Sequence, residues 1–239
     1  SWMGVLFSVP TVMYPMILPF VEGWRTVVLR LMPHYRERSF SSQGMISDMT
    51  LIEETSPRER IVEAADRLFN ARGVNSVGMD QLRDAAGVSL KRLYGVFPTK
   101  EDVILAVLEK RHRMWTDAVE ARIAAAPDAR GKVLAVYDFL TDWFRDVDFR
   151  GCMFINTFAE LGATSPRVAA AIQEHKAGFQ RRLADLVAEL GGPSALAAQL
   201  AILAEGAQTT AAISGGSDAA AQAREAAITL IDAALTPGR

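Results

Sequence analysis

Residues 79–97 read MDQLRDAAGVSLKRLYGVF, and this stretch decides the fold. It contains two helical segments of about two turns each, joined by Gly87-Val88-Ser89. A three-residue turn that contains glycine, between helices this short, is typical of a helix-turn-helix. Gly87 allows the chain to reverse without a Cβ clash, and Ser89 can cap the second helix. On the residues alone, an ordinary helical hairpin fits the stretch equally well.

The second of these helices begins with residues suited to reading DNA. In a helix-turn-helix its first turn points at base edges in the major groove, and Leu90, Lys91 and Arg92 occupy that turn. Arginine binds O6 and N7 of guanine through two hydrogen bonds, and lysine binds the same atoms or a phosphate. In the hairpin alternative, Lys91 and Arg92 are simply a solvated pair.

Helix signals continue on both sides, and no segment from residue 56 onward alternates apolar and polar residues for long, as a strand does. Ser56-Pro57-Arg58-Glu59 predicts a capping box at the start of the first helix, and Gly73 predicts a left-handed cap at its end. Breaks at glycine or proline separate the later helices. The predicted helices cover residues 57–72, 79–86, 90–96, 100–125, 130–147, 151–161, 166–190, 194–213 and 218–235. The predicted fold class is therefore all-α.

Composition and charge exclude several classes of protein. Lys and Arg number 26 against 28 Asp and Glu, yet residues 57–115 carry a net charge of +3 and residues 116–239 carry −4. This asymmetry suits a nucleic-acid-facing module on an acidic body. A single cysteine, Cys152, excludes an internal disulfide framework and a cysteine-rich zinc site. The histidines form no metal-binding pair, so we expect no metal, no cofactor and no enzymatic activity.

The first 21 residues carry no charge, which raises the question of a membrane anchor. Three prolines (Pro10, Pro15 and Pro19) would interrupt a membrane helix, and a signal peptide would have a basic residue here. We expect residues 1–48 to be an apolar N-terminal extension outside the fold. We also expect a cytoplasmic protein without stable membrane association. A membrane-tethered protein is the alternative.

The helix-turn-helix and its surroundings resemble the DNA-binding domain of the tetracycline-repressor-like (TetR) family of bacterial regulators. The resemblance covers residues 57–118 and is carried by Ala86-Gly87-Val88-Ser89, Leu93-Tyr94 and Phe97-Pro98-Thr99-Lys100-Glu101-Asp102. The run Ala64-Ala65-Asp66-Arg67-Leu68-Phe69 precedes them at the family's usual distance. The resemblance implies a three-helix DNA-binding domain over residues 49–100 and a larger helical ligand-binding and dimerisation domain over residues 101–239. It further implies a homodimer through the last two helices and release of a double-stranded DNA operator when a ligand binds.

The resemblance also implies roles for single residues. Lys91 and Arg92 correspond to base-reading positions, Tyr94 to an aromatic residue that packs and contacts phosphate, and Lys100 to a phosphate-binding lysine. Arg83 stands where the family has a small residue, and Gly78 where it has a capping Ser or Thr. The expected DNA-binding residues are Gly78, Arg83, Ser89, Leu90, Lys91, Arg92, Tyr94 and Lys100. The departures leave open an alternative, a helical small-molecule-binding dimer with weakened DNA binding.

Aromatic residues are frequent in residues 119–190, where most would be core and some could line a ligand cavity with Trp115. Polar side chains among them could orient the ligand. The expected ligand-binding residues are Trp115, Tyr137, Trp143, Phe154, Asn156, Phe158, Glu160 and His175. We expect a small hydrophobic or aromatic effector that releases a repressor from a palindromic operator.

Overall fold

The structure, a computed structural model, describes residues 55–236. All regular secondary structure in this range is helical, as predicted. The nine helices of this range are α1 (Pro57–Arg72), α2 (Met79–Ala86), α3 (Leu90–Val96), α4 (Lys100–Ala124), α5 (Ala129–Trp143), α6 (Met153–Leu161), α7 (Pro166–Glu189), α8 (Ser194–Ser214) and α9 (Asp218–Leu235). Among these helices, none is both long enough and apolar enough to cross a membrane. The predictions for residues 1–48 concern a segment outside the described range.

Side-chain caps start the helices where the sequence predicts them. Ser56 Oγ accepts the N–H of Glu59 at 3.2 Å, while Glu59 Oε2 accepts the N–H of Ser56 at 2.8 Å. Thr99 and Asp102 form the same reciprocal box at the start of α4. Gly73 ends α1 with a positive φ of 79°, but its ψ of 159° is extended rather than helical. The chain therefore leaves α1 directly into the turn that precedes α2.

The end of α5 differs from the prediction, because the helix stops at Trp143 and not near residue 147. The N–H of Asp146 donates to the carbonyl of Trp143 at 3.1 Å, which tightens the chain into a turn. This turn places the ring of Phe149 4.8 Å from that of Phe144. Packing between aromatic rings thus ends the helix, and the apolar periodicity of the segment does not reveal it.

Two hydrophobic cores hold the helices together. One core joins α5, α8, α9, the end of α4 and the second half of α7, around fully buried residues such as Leu140, Leu183 and Leu200. The other joins α1, α2, α3 and the first half of α4, and it extends into α6 and the first half of α7 through Phe154 and Ile172. The helix-turn-helix therefore shares its core with α6.

Candidate nucleic-acid interface and internal cavity

The helices α2 and α3 form the helix-turn-helix, and the turn between them has the predicted conformation. Gly87 is left-handed, with φ 61° and ψ 40°. Ser89 Oγ accepts the N–H of Arg92 at 3.1 Å and so caps α3. Leu82 of α2 and Leu93 of α3 are fully buried in the core shared with α1. The two helices are thus held at a fixed angle by packing on a third.

The exposed face of α3 carries Leu90, Lys91 and Arg92, which are expected to read bases, and Tyr94, which is expected to contact phosphate. Apart from bonds within the helix, Arg92 makes one hydrogen bond in residues 55–236, through its backbone N–H to Ser89. Its guanidinium is therefore available for a guanine or a phosphate. In the same range the ammonium of Lys91 pairs with no carboxylate. The face is cationic, exposed and unoccupied by intramolecular ion pairs.

Arg83 and Gly78, where the chain departs from the family pattern, leave α2 intact. Nε and Nη2 of Arg83 donate to Asp84 Oδ1 at 2.8 and 2.7 Å, and Nη1 lies 3.1 Å from Asp80. These carboxylates, Asp84 above all, raise the pKa of Arg83. The N–H of Gly78 donates to Gln81 Oε1 at 2.9 Å, so a side chain still closes this end of α2. Arg83 is held by its own helix and does not separate α2 from α3.

The first residue of α4, Lys100, lies beside the unpaired N–H groups of that helix end. A helix N-terminus and an ammonium group both favour a phosphate. Partial burial lowers the pKa of Lys100, while the carboxylate of Glu160 raises it. Since Glu160 belongs to α6, this corner of the DNA-binding region lies close to the rest of the protein.

A cavity of about 210 Å³ lies among α4, α5, α6, α7 and α8. Five of its lining side chains are Trp or Phe: Trp115, Phe139, Trp143, Phe154 and Phe179. The indole of Trp115 meets the rings of Phe179 and Phe139 edge-on, with centroids 5.2 and 5.8 Å apart. Walls of this kind suit a flat, apolar molecule.

Polar side chains interrupt the aromatic walls. Lys176 Nζ lies 2.7 Å from Glu205 Oε2 and 3.4 Å from Cys152 Sγ, so its charge is compensated inside the cavity. Gln208 is only 3% exposed, and its Nε2 donates to the carbonyl of Ala204 at 3.3 Å. The amide oxygen of Gln208 has no partner within residues 55–236. It is therefore available to a hydrogen-bond donor on a ligand.

His175 also faces the cavity and joins two helices there. Its Nδ1 lies 2.8 Å from Nδ1 of His112 on α4. Its ring stacks on Phe154 of α6, with centroids 3.6 Å apart. Burial, together with the neighbouring charges of Lys176 and His112, lowers the pKa of His175 to about 3. The imidazole is therefore neutral at physiological pH.

The structure brings four of the eight predicted ligand-binding residues to the cavity: Trp115, Trp143, Phe154 and His175. It places the other four elsewhere. The buried Tyr137 donates its hydroxyl to a carbonyl of α8 at 2.8 Å, and Asn156 Nδ2 donates to the carbonyl of Arg150 at 3.1 Å. Phe158 is 45% exposed on α6. Glu160 accepts hydrogen bonds from the turn before α2.

The cavity also contains Phe139 and Phe179, which the sequence marks only as two of the aromatic residues of 119–190. The polar residues Lys176, Glu205 and Gln208 were not predicted. Helical spacing could have found the two phenylalanines, because Phe139 precedes Trp143 by four residues and Phe179 follows His175 by four. No local signal pairs Lys176 with Glu205, since the two residues lie on different helices.

Two family models match the chain. Residues 61–107 match the model described as bacterial regulatory proteins, tetR family, and residues 129–227 match that of the tetracyclin repressor-like C-terminal domain. The first match covers most of α1, all of α2 and α3, and the start of α4. The second covers α5 to α8 and the first half of α9.

Known proteins that resemble this chain are transcriptional regulators. The crystal structure of a TetR-family transcriptional regulator from Streptomyces coelicolor superimposes with a TM-score of 0.71 and 30% identity, over 74% of this chain and 95% of that one. The HTH-type transcriptional activator FasR of Mycolicibacterium smegmatis is 29% identical over 143 residues, which are 60% of this chain and 64% of FasR. An HTH-type transcriptional regulator of Mycobacterium tuberculosis is 28% identical over 104 residues, or 44% of this chain and 52% of that protein.

The matched segment thus spans between about half and two thirds of these curated relatives. This chain covers almost all of the solved structure from Streptomyces coelicolor, and the two share the same fold. The family models, this structure and the helix-turn-helix geometry agree with one another. The chain belongs to the TetR family of bacterial transcriptional regulators, which bind DNA through a helix-turn-helix.

Proposed function

We infer that the protein is a homodimeric repressor of the bacterial cytoplasm, which binds a palindromic operator and leaves it when a small hydrophobic or aromatic effector enters the cavity. The observation that carries this proposal is the double role of α6. Met153 and Phe154 line the cavity, and the same two residues belong to the core that contains α1, α2 and α3. An effector that displaces α6 would therefore disturb the packing of the DNA-binding helices.

The small size of the cavity supports the proposal that a bound ligand changes the conformation of the protein. Its volume of about 210 Å³ is below the ~300–1,000 Å³ of common ligand pockets. A ligand of that larger size would have to push wall residues outward. The dimer can adopt a DNA-bound and a DNA-free geometry, and such a ligand favours the one with the wider cavity. The shift in population between the two geometries is set by the difference in the ligand's affinity for them. The DNA-free geometry would be the wider one.

The outer face of α8 supports the homodimer. Its exposed residues are all uncharged: Ser194, Ala195, Ala198, Gln199, Ile202, Gly206, Thr209, Thr210, Ala212, Ile213 and Ser214. Two of them are large and apolar, Ile202 at 73% exposed and Ile213 at 83%. A long uncharged surface with exposed isoleucines is typical of an interface. Because α9 packs against α8, a second copy of the chain would meet both helices.

The direction of regulation has a specific alternative. FasR, one of the relatives, is named a transcriptional activator, so an activator built on the same helices is the second candidate. A reporter gene placed behind the bound DNA separates the two. Repression predicts higher reporter output in cells that lack the protein, whereas activation predicts lower output.

The experiment that tests the proposed function uses the full-length protein and neutral aromatic compounds of one or two rings. Thermal unfolding identifies compounds that stabilise the protein, and fluorescence anisotropy then measures release of a labelled DNA duplex. The proposal expects the same compounds to raise Tm and to release the duplex. Compounds that raise Tm while the duplex stays bound would contradict it.

A further inference from the structure

We propose that Glu160 is a positioning residue for DNA binding, which fixes the turn before α2 and thereby orients the helix-turn-helix on the body of the protein. This inference rests on the proposed homodimer, because the orientation of each helix-turn-helix matters for affinity when two of them must fit one operator. Glu160 lies near the end of α6, in the part of the chain that the family resemblance assigns to the ligand-binding domain.

Each oxygen of the Glu160 carboxylate accepts a hydrogen bond from one of two successive backbone amides. Oε1 accepts the N–H of Val74 at 3.1 Å, and Oε2 accepts the N–H of Asn75 at 2.7 Å. Both amides lie between α1 and α2, where no helix supplies a carbonyl for them. Hydrogen bonds to a carboxylate are stronger than those between neutral groups. Glu160 therefore supplies partners that this turn lacks.

Gly73 provides independent support for a fixed carboxylate at this place. A Cβ atom on Gly73 would lie 2.6 Å from Glu160 Oε1, closer than two such atoms can approach. Gly73 also has a φ of 79°, which side chains rarely tolerate. The backbone at residue 73 is thus shaped so that the carboxylate can reach the two amides that follow.

The turn that Glu160 holds leads directly into the DNA-binding helices. Val74 and Val77 are buried in the same core as Leu82 of α2, so a displacement of the turn is passed on to α2 by close packing. The carboxylate also lies near Lys100, whose pKa it raises. One side chain of α6 therefore binds the entry to α2 and acts electrostatically on the cation at the start of α4.

Two other polar links use side chains of α1 and α4 on the DNA-binding side. Asn70 Nδ2 donates to the carbonyl of Asp148 at 2.8 Å, and Arg167 reaches Glu101 and Asp102 at 2.9 and 3.0 Å. The Arg167 side chain is largely in solvent, where ion pairs contribute little. The link through Glu160 differs because it binds two backbone amides of the DNA-binding region itself, and backbone atoms set the path of that chain segment.

The test compares two effects on DNA affinity that have opposite signs. Replacing Glu160 by Gln removes a negative charge, and by simple electrostatics this should strengthen DNA binding. Loss of the hydrogen bonds between Glu160 and the amides of Val74 and Asn75 should weaken DNA binding. Glu160→Asp keeps the charge but withdraws the carboxylate by one methylene, so it should weaken binding as well. Glu174→Gln on the exposed face of α7, outside the proposed dimer helices α8 and α9, is the control with the same change in net charge.

The probe is a duplex that the full-length wild-type protein selects from a random-sequence library. We expect Glu160→Gln and Glu160→Asp to bind it about tenfold more weakly, a loss of ~1.4 kcal/mol, and Glu174→Gln to bind as well as the wild type or better. Amide hydrogen exchange without DNA, over residues 73–78, should be faster in both Glu160 variants. Hydrogen exchange reports on the hydrogen bonds to Glu160 even where DNA binding fails for another reason.

Binding by Glu160→Gln as tight as that of Glu174→Gln would overturn the proposal, and so would unchanged exchange of the amides of Val74 and Asn75. These outcomes differ from failure of the proposed dimer. In that case the wild type itself would select no duplex with two half-sites, while exchange at residues 73–78 would still respond to Glu160. Thermal unfolding of each variant confirms that it is folded before it is compared.

Discussion

The Nδ1 atoms of His112 and His175 lie 2.8 Å apart, and they join α4 to α7 at the wall of the cavity. One ring must donate and the other accept, so the two Nδ1 positions share one proton. Burial is the main cause of the low pKa of His175, about 3, and Lys176 beside it contributes in the same direction. His175 is therefore neutral in the folded protein at a pH where an unfolded chain would already protonate it.

This difference predicts that acid destabilises the protein through His175. Between its unfolded pKa of ~6.5 and its folded pKa of about 3, the unfolded chain binds the additional proton, so stability falls as pH falls. The slope is at most ~1.4 kcal/mol per pH unit from this group. Urea unfolding at pH 7.5 and pH 5 should show a smaller loss for His175→Gln than for the wild type. An equal loss in both would show that His175 does not titrate in this way.

A second prediction separates base reading from phosphate binding. Arg92→Ala removes a bidentate donor, so it should weaken the preferred duplex by ~1–3 kcal/mol and reduce discrimination at one base pair. Lys100→Ala should weaken all duplexes alike and lower the slope of log affinity against log salt by about 1. Arg181→Ala, an exposed site on α7, is the control for loss of a positive charge. Equal effects of Arg92→Ala on all sequences would contradict its assigned role.

A third prediction concerns the dimer. Ile213→Glu places a carboxylate on the uncharged face of α8, and burying it in an interface would be costly. Val147→Glu is the matched control, because Val147 and Ile213 are both 83% exposed and Val147 lies outside α8 and α9. Light scattering at micromolar concentration should show monomers for Ile213→Glu and dimers for Val147→Glu. Dimers of Ile213→Glu would place the interface elsewhere.

A fourth prediction tests whether Gln208 orients ligands in the cavity. Naphthalene and 2-naphthol have similar shapes, but only 2-naphthol can donate a hydrogen bond to the free amide oxygen. We expect the wild type to bind 2-naphthol about fivefold more tightly, which corresponds to ~1 kcal/mol for one hydrogen bond. Gln208→Leu should lose this preference, whereas Gln173→Leu on the exposed side of α7 should keep it. A preference that persists in Gln208→Leu would remove Gln208 from the site.

The sequence predicts the DNA-binding helices well, because their ends are marked by local chemistry. Ser56, Gly87 and Ser89 each act within four residues along the chain, and the structure has the predicted caps at all three. The end of α5 was predicted wrongly because it depends on Phe149 packing back on the helix. Contacts of that kind depend on the folded chain and leave no periodic signal.

The cavity residues show the same limit. Aromatic side chains of α4 to α7 could be singled out by residue type. Residue type does not distinguish a side chain that lines the cavity from one that is buried in the hydrophobic core. Tyr137 is buried away from the cavity, whereas Trp143 of the same helix lines it. Glu160 was expected to bind a ligand and instead contacts a turn 85 residues earlier in the chain. The predicted domain boundary at residue 100 remains a prediction, since one core spans α1 to α4 and α6.

Selection of duplexes from a random-sequence library by the full-length protein, followed by affinity measurements over a range of salt, tests DNA recognition most directly. A dimer that reads DNA through α3 should enrich two half-sites related by two-fold symmetry, with centres ~34–36 Å apart. Its affinity for them should fall steeply as salt rises. Enrichment of no sequence, with equal affinity for all duplexes, would contradict a regulator that reads an operator through Lys91 and Arg92.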